Sequence, residues 1–256
     1  MTRRILTRRQ MLMSSTTALG GLLLGGCDRL SNAPSFRRIL DSAEALSYRG
    51  QRLLVGRNAL AREFEQSDLS PVFRSNGTSA PDTDEYNALL ADNFRQWRLK
   101  IDGLVLRPQV LSLNELRLMP SRTQITRHDC VEGWSAIGQW TGVPLGALLN
   151  VAGILPAARY VVFYCADILE TGADPYYESI DLIDAYHPQT ILAFDLNGKP
   201  LPVANGAPLR LRVERQLGYK HAKYVMRIAV VQSLEPIHGG KGGFWEDRGY
   251  EWYAGV

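Results

Sequence analysis

The stretch that best defines the fold is residues 205–213, Asn-Gly-Ala-Pro-Leu-Arg-Leu-Arg-Val. Its opening Asn-Gly pair, followed by a proline, is typical of a tight turn that leads into a strand. From there apolar and basic residues alternate, which places Arg210 and Arg212 on one face of the strand and the apolar residues on the other. An alternating basic face is usually exposed to solvent. The alternative, that the strand presents Arg210 for a function, stays open at this point.

Strands are also predicted on both sides of this stretch. Tyr160–Cys165 is rich in residues that favour strands, and Tyr224–Val231 is a further apolar run. Trp97–Ile101 alternates apolar with charged residues, as a half-buried strand does. A turn at Asp102-Gly103 then predicts a second short strand over Leu104–Leu106.

Two short helices are predicted between the strands. The first, Ser112–Leu118, begins with a capping box that pairs its first residue with Glu115, and Pro120 ends it. The second, Pro144–Val151, is stopped by Gly153. Strands dominate and no repeating strand–helix–strand rhythm is present, so the sequence predicts an α+β domain.

The chain has 256 residues, enough for one large domain or two small ones. We predict three segments: a signal peptide over 1–26, a polar linker over 27–72 and the compact functional domain over 73–256. Hydrophobic residues make up 45% of the chain, which is typical of a globular protein with a sizeable core rather than of a disordered one.

The N-terminal segment has the layout of an export signal. Arg8-Arg9 precede a weakly apolar stretch, as in a twin-arginine signal, which exports proteins that are already folded. Leu24–Cys27 resembles a bacterial lipobox, which predicts a lipid on the Cys27 thiol; an ordinary cleaved signal is the alternative. The stretch is too short and too polar for a spanning helix. We therefore expect a periplasmic protein that its lipid anchors to the cell membrane.

The charge of the chain argues against a nucleic-acid-binding protein. The formal net charge is +3, but residues 1–26 contain four arginines and no acidic residue, so the rest of the chain carries +3 − 4 = −1. A near-neutral domain lacks the electrostatic footprint that binding to nucleic acid requires.

The stretch Arg127–Trp134 holds the strongest candidate for chemistry. Cys130 has cationic Arg127 and His128 nearby, which predicts a lowered pKa for its thiol. A thiolate can be a soft-metal ligand or a nucleophile, so a cofactor-free Cys-dependent hydrolase stays open, as does a buried structural cysteine. Cys130 and Cys165 could equally form a disulfide in an oxidising compartment, and their spacing does not decide this.

A second candidate is the basic turn Gly218–Lys223, which carries Lys220, His221 and Lys223. Three basic side chains and a flexible glycine suit a phosphate or another small anion, although a charged run is often a solvated loop. Phe73–Thr78 offers further donors around a glycine. The histidines and cysteines lack zinc spacing, and no P-loop or Gly-x-Gly-x-x-Gly motif is present, which argues against a nucleotide enzyme.

Taken in order, these motifs resemble the sulfite oxidase family of molybdopterin-dependent oxidoreductases, and most closely its periplasmic branch of protein-methionine-sulfoxide reductase catalytic subunits. The resemblance covers roughly Phe73 to Trp252. The motifs that carry it are Cys130–Trp134, Gly142–Leu145, His187-Pro188, Asn197–Pro202, Asn205–Arg210 and Gly218–Lys220 with Lys223. It implies a molybdopterin-binding oxidoreductase domain over 73–256, with mixed β-sheets and short helices.

The resemblance also implies roles for individual residues. Cys130 matches the cysteine whose thiolate binds molybdenum. Because His128 and Asp129 flank it in the sequence, we expect them to be catalytic residues that orient this ligand or support it from behind. Asp129 stands where the reductase branch has an arginine, which leaves the substrate open. The positions that match cofactor-binding residues of the family are Arg74, Asn76, Cys165, Asn205, Arg210, His221, Ala222 and Lys223.

The implied activity is oxygen-atom transfer by a molybdenum–molybdopterin cofactor. The substrate would be a small S- or N-oxide for a reductase, or a sulfite-like molecule for an oxidase. A haem partner, expected to be a cytochrome b-type membrane protein, would exchange the electrons. The family's dimerisation domain is not found after the core motifs, so we expect a monomer. The alternative from another functional class is a lipid-anchored anion-binding protein without redox activity.

Overall fold

The computed structural model describes residues 33, 43, 46–170 and 174–256. The chain divides into two compact units, Met1–Leu54 and Val55–Val256. In the first unit residues 46–54 are helical, whereas the predicted signal peptide and Cys27 lie outside the described residues. Within the described ranges, every helix is too short or too polar to cross a membrane.

The first sheet of the second unit has five strands in the order β2-β1-β10-β5-β6. Its strands are β1 (Arg98–Gly103), β2 (Gln109–Ser112), β5 (Tyr160–Cys165), β6 (Tyr177–Asp181) and β10 (Val225–Val231). β1 and β10 run parallel, and the other neighbours run antiparallel. The predicted strands at Trp97–Ile101, Tyr160–Cys165 and Tyr224–Val231 are confirmed within a residue or two.

The second sheet has the order β3-β4-β7-β8, and β9 also pairs with β7. Its strands are β3 (Arg122–Asp129), β4 (Ser135–Pro144), β7 (Ile191–Leu196), β8 (Lys199–Pro200) and β9 (Arg210–Arg212). Every pairing in this sheet is antiparallel. The predicted site residues of this sheet lie at the end of β3, in the turn between β3 and β4, and on β9.

Short helices connect the strands of the second unit. They are α1 (Asp84–Ala91), α2 (Leu113–Leu118), α3 (Leu145–Ala152) and α4 (Leu182–Ala185), with 3-10 turns at Gln66–Asp68, Val203–Asn205, Gly218–Lys220 and Glu246–Arg248. The capping box of Ser112 and Glu115 is present at the start of α2. Gly153 ends α3 in a left-handed conformation with a φ of 69°, as the sequence predicts.

The main hydrophobic core takes side chains from both sheets. Leu99 of β1, Val143 of β4 and Leu192 of β7 are fully buried in one cluster. A smaller cluster forms around Trp140 of β4, with Phe73 packed against it. One mixed and one antiparallel sheet, joined by short helices around a shared core, confirm the predicted α+β class.

The prediction of a strand over Leu104–Leu106 was wrong. Gly103 has a φ of 83°, which turns the chain away from the direction of β1. Val105 then makes only an isolated bridge with Ile154. The strand that pairs antiparallel with β1 is β2, which comes later in the chain.

Residues 55–72, which the sequence assigns to the linker, belong to the second compact unit. Glu63 bridges Thr126 of β3. The Gln189 side chain accepts from the Ala61 amide at 2.8 Å and donates to the Ala61 carbonyl at 3.0 Å. These contacts attach the segment to the rest of the second compact unit.

Candidate active site

The turn between β3 and β4 presents Cys130 to a cavity. The Cys130 amide donates to the Trp134 carbonyl at 2.9 Å, and the Gly133 amide donates to the Cys130 carbonyl at 3.0 Å. Gly133 has a φ of 83°, a left-handed conformation that residues with a side chain rarely adopt. This closed turn fixes the thiol, which is 9% exposed, in the wall of the cavity.

The cavity gathers side chains from several separate parts of the chain. Its described lining consists of Asn76, Gly77, Thr78, Cys130, Val131, Glu132, Asp167, Leu169, Tyr176, Tyr219, His221, Lys223, Trp245 and Tyr250. In this set Lys223 is the one lysine or arginine, two residues are carboxylic acids, and half are apolar or aromatic. The space beside the Cys130 thiol is therefore mixed in character and not strongly cationic.

His128, two residues before Cys130, is buried with a neutral ring. Nη1 of Arg212 lies 3.0 Å from its Nδ1, and because a guanidinium only donates, Nδ1 accepts. Burial, and then the positive charge of Arg210, lower the pKa of His128 well below its usual value. The proton of the neutral ring is thus on Nε2, which has no hydrogen-bond partner in the described part of the chain.

Arg212 is a buried cation whose charge is balanced. Its Nη2 donates to Glu214 at 2.6 Å and its Nε donates to the same carboxylate at 2.9 Å, a two-pronged ion pair with no solvent exposure. The guanidinium also lies 4.4 Å from the centre of the Trp140 ring. Arg212 is therefore neutralised by Glu214 and serves to hold the His128 ring.

Arg210 is a fully buried cation that no carboxylate balances within the described residues. Its two terminal nitrogens donate to the Asn205 carbonyl and to Oδ1 of Asn76, each at 3.1 Å, and its Nε has no partner there. Burial and the neighbouring charge of Arg212 lower the pKa of Arg210 to about 9. A buried charge of this kind is costly unless an anion compensates it.

Lys223 is a second buried cation of the same kind. Its Nζ donates to the carbonyls of Thr78 and Ala204, and among the described side chains no carboxylate lies within ion-pair distance. Burial, and then the charge of Arg210, lower the pKa of Lys223 to about 7. Lys223 and Arg210 therefore form a local site of positive charge that favours an anionic group.

Of the three basic residues in the turn Gly218–Lys223, only His221 and Lys223 line the cavity. Nζ of Lys220 lies 2.5 Å from a carboxylate oxygen of Glu178 and of Glu246, and these three side chains are buried. The expectation that three basic side chains of the turn serve one anion was thus wrong for Lys220, because two carboxylates neutralise it. His221 lines the cavity and donates from Nε2 to the Gln216 carbonyl at 3.0 Å.

The expected lowering of the Cys130 pKa was also wrong. Burial is the largest influence and raises the pKa of the thiol. Arg127 does not offset it, because its guanidinium pairs with Asp129 at 2.9 Å, and His128 is neutral. A bound metal ion deprotonates a cysteine ligand outright, so a raised pKa of the free thiol is compatible with a ligand role.

Cys165 lies apart from the Cys130 cavity. Both described cysteines are free, so the open possibility of a disulfide between them is not realised. Cys165 ends β5, is 5% exposed, and lines a different cavity with Thr83 and Tyr86. Burial raises its pKa well above the usual value. A role for this thiol in cofactor binding stays a prediction.

The other residues singled out from the sequence are placed as follows. The Arg74 guanidinium lies 5.3 Å from the centre of the Trp134 ring, at the end of the Cys130 turn. Asp129 lines a separate surface cavity, as strand alternation requires when His128 points inward. Ala222 is buried and contributes backbone contacts. The structure thus brings Asn76, Asn205, Arg210, His221 and Lys223 together around the Cys130 cavity.

Two carboxylic acids of the cavity were not assigned to it from the sequence. Glu132 accepts from Nε1 of Trp134 at 2.9 Å, a bond that helps to fix the turn. Asp167 is 3% exposed and lies two residues after Cys165, the last residue of β5. An acidic residue close to the end of a strand predicted to be apolar was the signal that could have identified Asp167.

Comparison with known proteins identifies the family to which this site belongs. Residues 87–238 match the family described as oxidoreductase molybdopterin binding domain. The chain belongs to this family. It is 39% identical over 249 aligned residues to a protein of Azospira oryzae named as protein-methionine-sulfoxide reductase subunit YedZ1. The alignment covers 97% of this chain and 87% of that relative.

A second relative and a solved structure support membership of this family. The chain is 38% identical over 242 aligned residues to a protein-methionine-sulfoxide reductase catalytic subunit of Xanthomonas campestris. The alignment covers 88% of this chain and 70% of that relative. A solved structure, the sulfane dehydrogenase SoxCD of Paracoccus pantotrophus, matches with a TM-score of 0.50 and 25% identity, over 54% of this chain and 39% of that one. The predicted sulfite-oxidase-type fold is confirmed.

As a member of this family the chain is a molybdopterin-dependent oxidoreductase, and its site fits the cofactor. Molybdopterin is an anionic ligand, and Arg210 and Lys223 are buried cations that lack a carboxylate partner in the described structure. Nε2 of His128 and Nδ2 of Asn205 are buried donors without a partner there. In the described ranges no group of three or more His, Cys, Asp or Glu side chains could hold a metal ion. Cys130 offers one soft thiol, a donor type that suits the metal of this cofactor.

Proposed function

We propose that this chain is the catalytic subunit of a reductase that converts methionine sulfoxide to methionine. The names of the relatives from Azospira oryzae and Xanthomonas campestris support this substrate. The observation that carries the choice is the lining of the cavity. Glu132 and Asp167 line it, and Lys223 is the one lysine or arginine in its described wall.

This lining favours a neutral sulfoxide over a sulfite-like anion. Two carboxylic acids in the wall would repel an anionic substrate, and Lys223, the one lysine or arginine of the described wall, is needed for the anionic cofactor. Leu169, Trp245 and Tyr250 offer apolar and aromatic surface that suits the thioether carbons of a methionine side chain. The cavity is therefore better matched to sulfoxide reduction than to sulfite oxidation.

When bound, the cofactor supplies the exchange of two electrons coupled to the transfer of an oxygen atom. Cys130 would provide the protein's thiolate ligand to molybdenum. Arg210 and Lys223 would hold the anionic part of the pterin by charge-assisted hydrogen bonds, and His128 would donate to it from Nε2. Arg212 keeps His128 in this donor form, because it occupies Nδ1.

The location and the partner follow from other parts of the chain. The twin-arginine pattern at Arg8-Arg9 and the lipobox ending at Cys27 support export to the periplasm and a lipid anchor. Relatives named as subunits support a separate protein that supplies the electrons. We infer a cytochrome b-type membrane partner for a catalytic subunit that is itself a monomer.

The test uses the full chain, with its signal, expressed in a host that makes the molybdenum cofactor. Molybdenum per chain is measured by mass spectrometry for wild type and Cys130→Ser, and activity is assayed with methionine sulfoxide and with sulfite. We expect near-stoichiometric molybdenum and sulfoxide reduction in wild type. Cys130→Ser, checked for folding by its thermal unfolding, should lose the molybdenum EPR signal and the activity.

Two results would contradict the proposal. Folded, exported wild type without molybdenum would leave the anion-binding protein as the better explanation. Molybdenum-loaded wild type that oxidises sulfite efficiently but leaves methionine sulfoxide unchanged would reverse the assignment of the substrate.

A further inference from the structure

Asp167 is held rigidly in the wall of the Cys130 cavity. The residue before it, Ala166, donates its amide to the Tyr224 carbonyl at 3.0 Å, and the Asp167 carbonyl accepts from the Tyr176 amide at 2.7 Å. The side chain is 3% exposed and lines the same cavity as Cys130. Backbone bonds on both sides thus fix where this carboxyl group lies.

One oxygen of this buried carboxyl group is free. Oδ1 of Asp167 has no hydrogen-bond partner among the described residues, whereas the Thr78 side chain bonds the carboxyl group. Lys223 attracts it but donates its own hydrogens to the carbonyls of Thr78 and Ala204. A buried carboxyl group with a free oxygen and without an ion pair favours its protonated form.

The charged groups around Asp167 only partly offset the effect of its burial. The titratable groups that face it are Lys223, Tyr86, Tyr224, Tyr176 and Cys165. Of these described neighbours only Lys223 carries a positive charge. Burial outweighs it and raises the pKa of Asp167 to about 6.

Other proton donors in the cavity are already engaged. The hydroxyl of Tyr176 donates to the Tyr219 carbonyl at 2.6 Å, and that of Tyr219 donates to the Glu251 carbonyl at 2.6 Å. His221 donates to the Gln216 carbonyl. Asp167 is thus the buried acid of the described lining whose proton is not held by another group of the chain.

The proposed reaction consumes protons. Reduction of a sulfoxide breaks the S=O bond, uses two electrons and two protons, and yields a sulfide and one water molecule. The reduced cofactor is the source of both electrons, and the oxygen atom leaves as water. A general acid that is fixed beside the reacting oxygen contributes about 10²–10⁴-fold to such a proton transfer.

We propose that Asp167 is a catalytic residue that donates one of these protons to the departing sulfoxide oxygen. The inference rests on the proposed function as a sulfoxide reductase. The second proton comes from solvent, and solvent also reprotonates the Asp167 carboxylate after each turnover. Between these events the hydroxyl of Thr78 and the charge of Lys223 stabilise the carboxylate.

The test compares molybdenum-loaded wild type with Asp167→Asn, Asp167→Glu and Asp82→Asn. Each enzyme is reduced chemically and mixed with methionine sulfoxide between pH 5 and 8, and the rate of its reoxidation is followed. The wild-type rate should fall about tenfold per pH unit above about pH 6. Asp167→Asn should react about 10²–10⁴-fold more slowly and without that dependence on pH. The exposed Asp82→Asn should match wild type, and Asp167→Glu should regain the pH dependence.

Two further measurements do not depend on activity. In the infrared spectrum a protonated carboxyl band should disappear in wild type as the pH passes about 6, and this band should be missing from Asp167→Asn. Molybdenum per chain should be equal in all four proteins. An unchanged rate and pH profile in Asp167→Asn, or loss of molybdenum from it, would overturn the inference. Loaded wild type that does not reduce the sulfoxide at all would instead refute the proposed function.

Discussion

Gly218 packs directly against the imidazole ring of His128. A Cβ atom at residue 218 would lie 2.5 Å from Nε2 of that ring and 2.6 Å from Cε1. Such distances are far inside van der Waals contact, so this glycine is required by packing and not by its φ. The start of the basic turn and the end of β3 are therefore locked together at the ring that precedes Cys130.

Gly218→Ala should destabilise the protein by about 1–3 kcal/mol, because either the ring or the turn must move to admit the methyl group. Thermal or urea unfolding of the cofactor-free protein measures this change. Gly56→Ala is the matched control, since a Cβ there meets no atom within 4 Å. Equal stability of the two variants would show that the turn and His128 are not in firm contact.

Glu214→Gln should be strongly destabilising. It removes the charge that balances Arg212, a pair with no solvent exposure, and breaking such a buried pair costs about 3–5 kcal/mol. Asp195→Asn removes the partly exposed pair with Arg117 and should cost about 0–1 kcal/mol. Urea unfolding of both variants makes the comparison. Similar losses in the two would mean that Arg212 finds another partner.

Arg210→Met should separate cofactor binding from stability. The buried guanidinium has no carboxylate partner in the described structure, so its removal should leave the cofactor-free protein as stable as wild type or more stable. Molybdenum per chain should fall at least tenfold. Arg227→Met, which removes a partly exposed pair with Asp102, should keep its molybdenum. Full molybdenum content in Arg210→Met would exclude Arg210 from holding the cofactor.

Asp167→Asn should stabilise the cofactor-free protein at neutral pH. The folded pKa of about 6 lies above the usual value of 3.8, so the folded state binds the proton more tightly than the unfolded state does. Ionisation therefore costs wild type stability as the pH rises from about 4 to 6, and the full cost, on the order of 3 kcal/mol, applies above about pH 6. The variant avoids this cost.

Urea unfolding at pH 4 and at pH 7 tests this last expectation. The gap between Asp167→Asn and wild type should be clear at pH 7 and nearly absent at pH 4. Asp82→Asn, which changes an exposed carboxylate, should show no such gap at either pH. A constant difference across this range would mean that the Asp167 carboxyl group titrates normally in the folded protein.

Local patterns in the sequence were enough for much of the fold. The run Tyr160–Cys165, the Ser112–Glu115 capping box and the stop at Gly153 were recovered in place, because each depends on neighbours within a few residues. The strand over Leu104–Leu106 was predicted wrongly because its pairing is not local. There Val105 bridges Ile154 and the Leu104 amide donates to the Val230 carbonyl, and no local pattern predicts contacts with such distant residues.

The candidate site was likewise predictable from the sequence only in part. Cys130, Arg210 and Lys223 could be named from ordered motifs, but the sequence could not say which basic residues are neutralised. Lys220 and Lys223 lie three residues apart in one turn. The first pairs with two carboxylates from distant segments, and the second has no such partner in the described structure.

The sequence by itself determined the fold class, the family and the thiol most suited to a metal, since these follow from local patterns and from motifs in a fixed order. Only the tertiary structure decided that Arg210 is buried rather than solvated, that Cys130 and Cys165 line different cavities, and that Asp167 joins Cys130 in one of them. The physical reason is that burial and charge balance are set by residues far apart in the chain. They raise the pKa of a carboxyl group or lower that of a lysine only once the sheets have packed together.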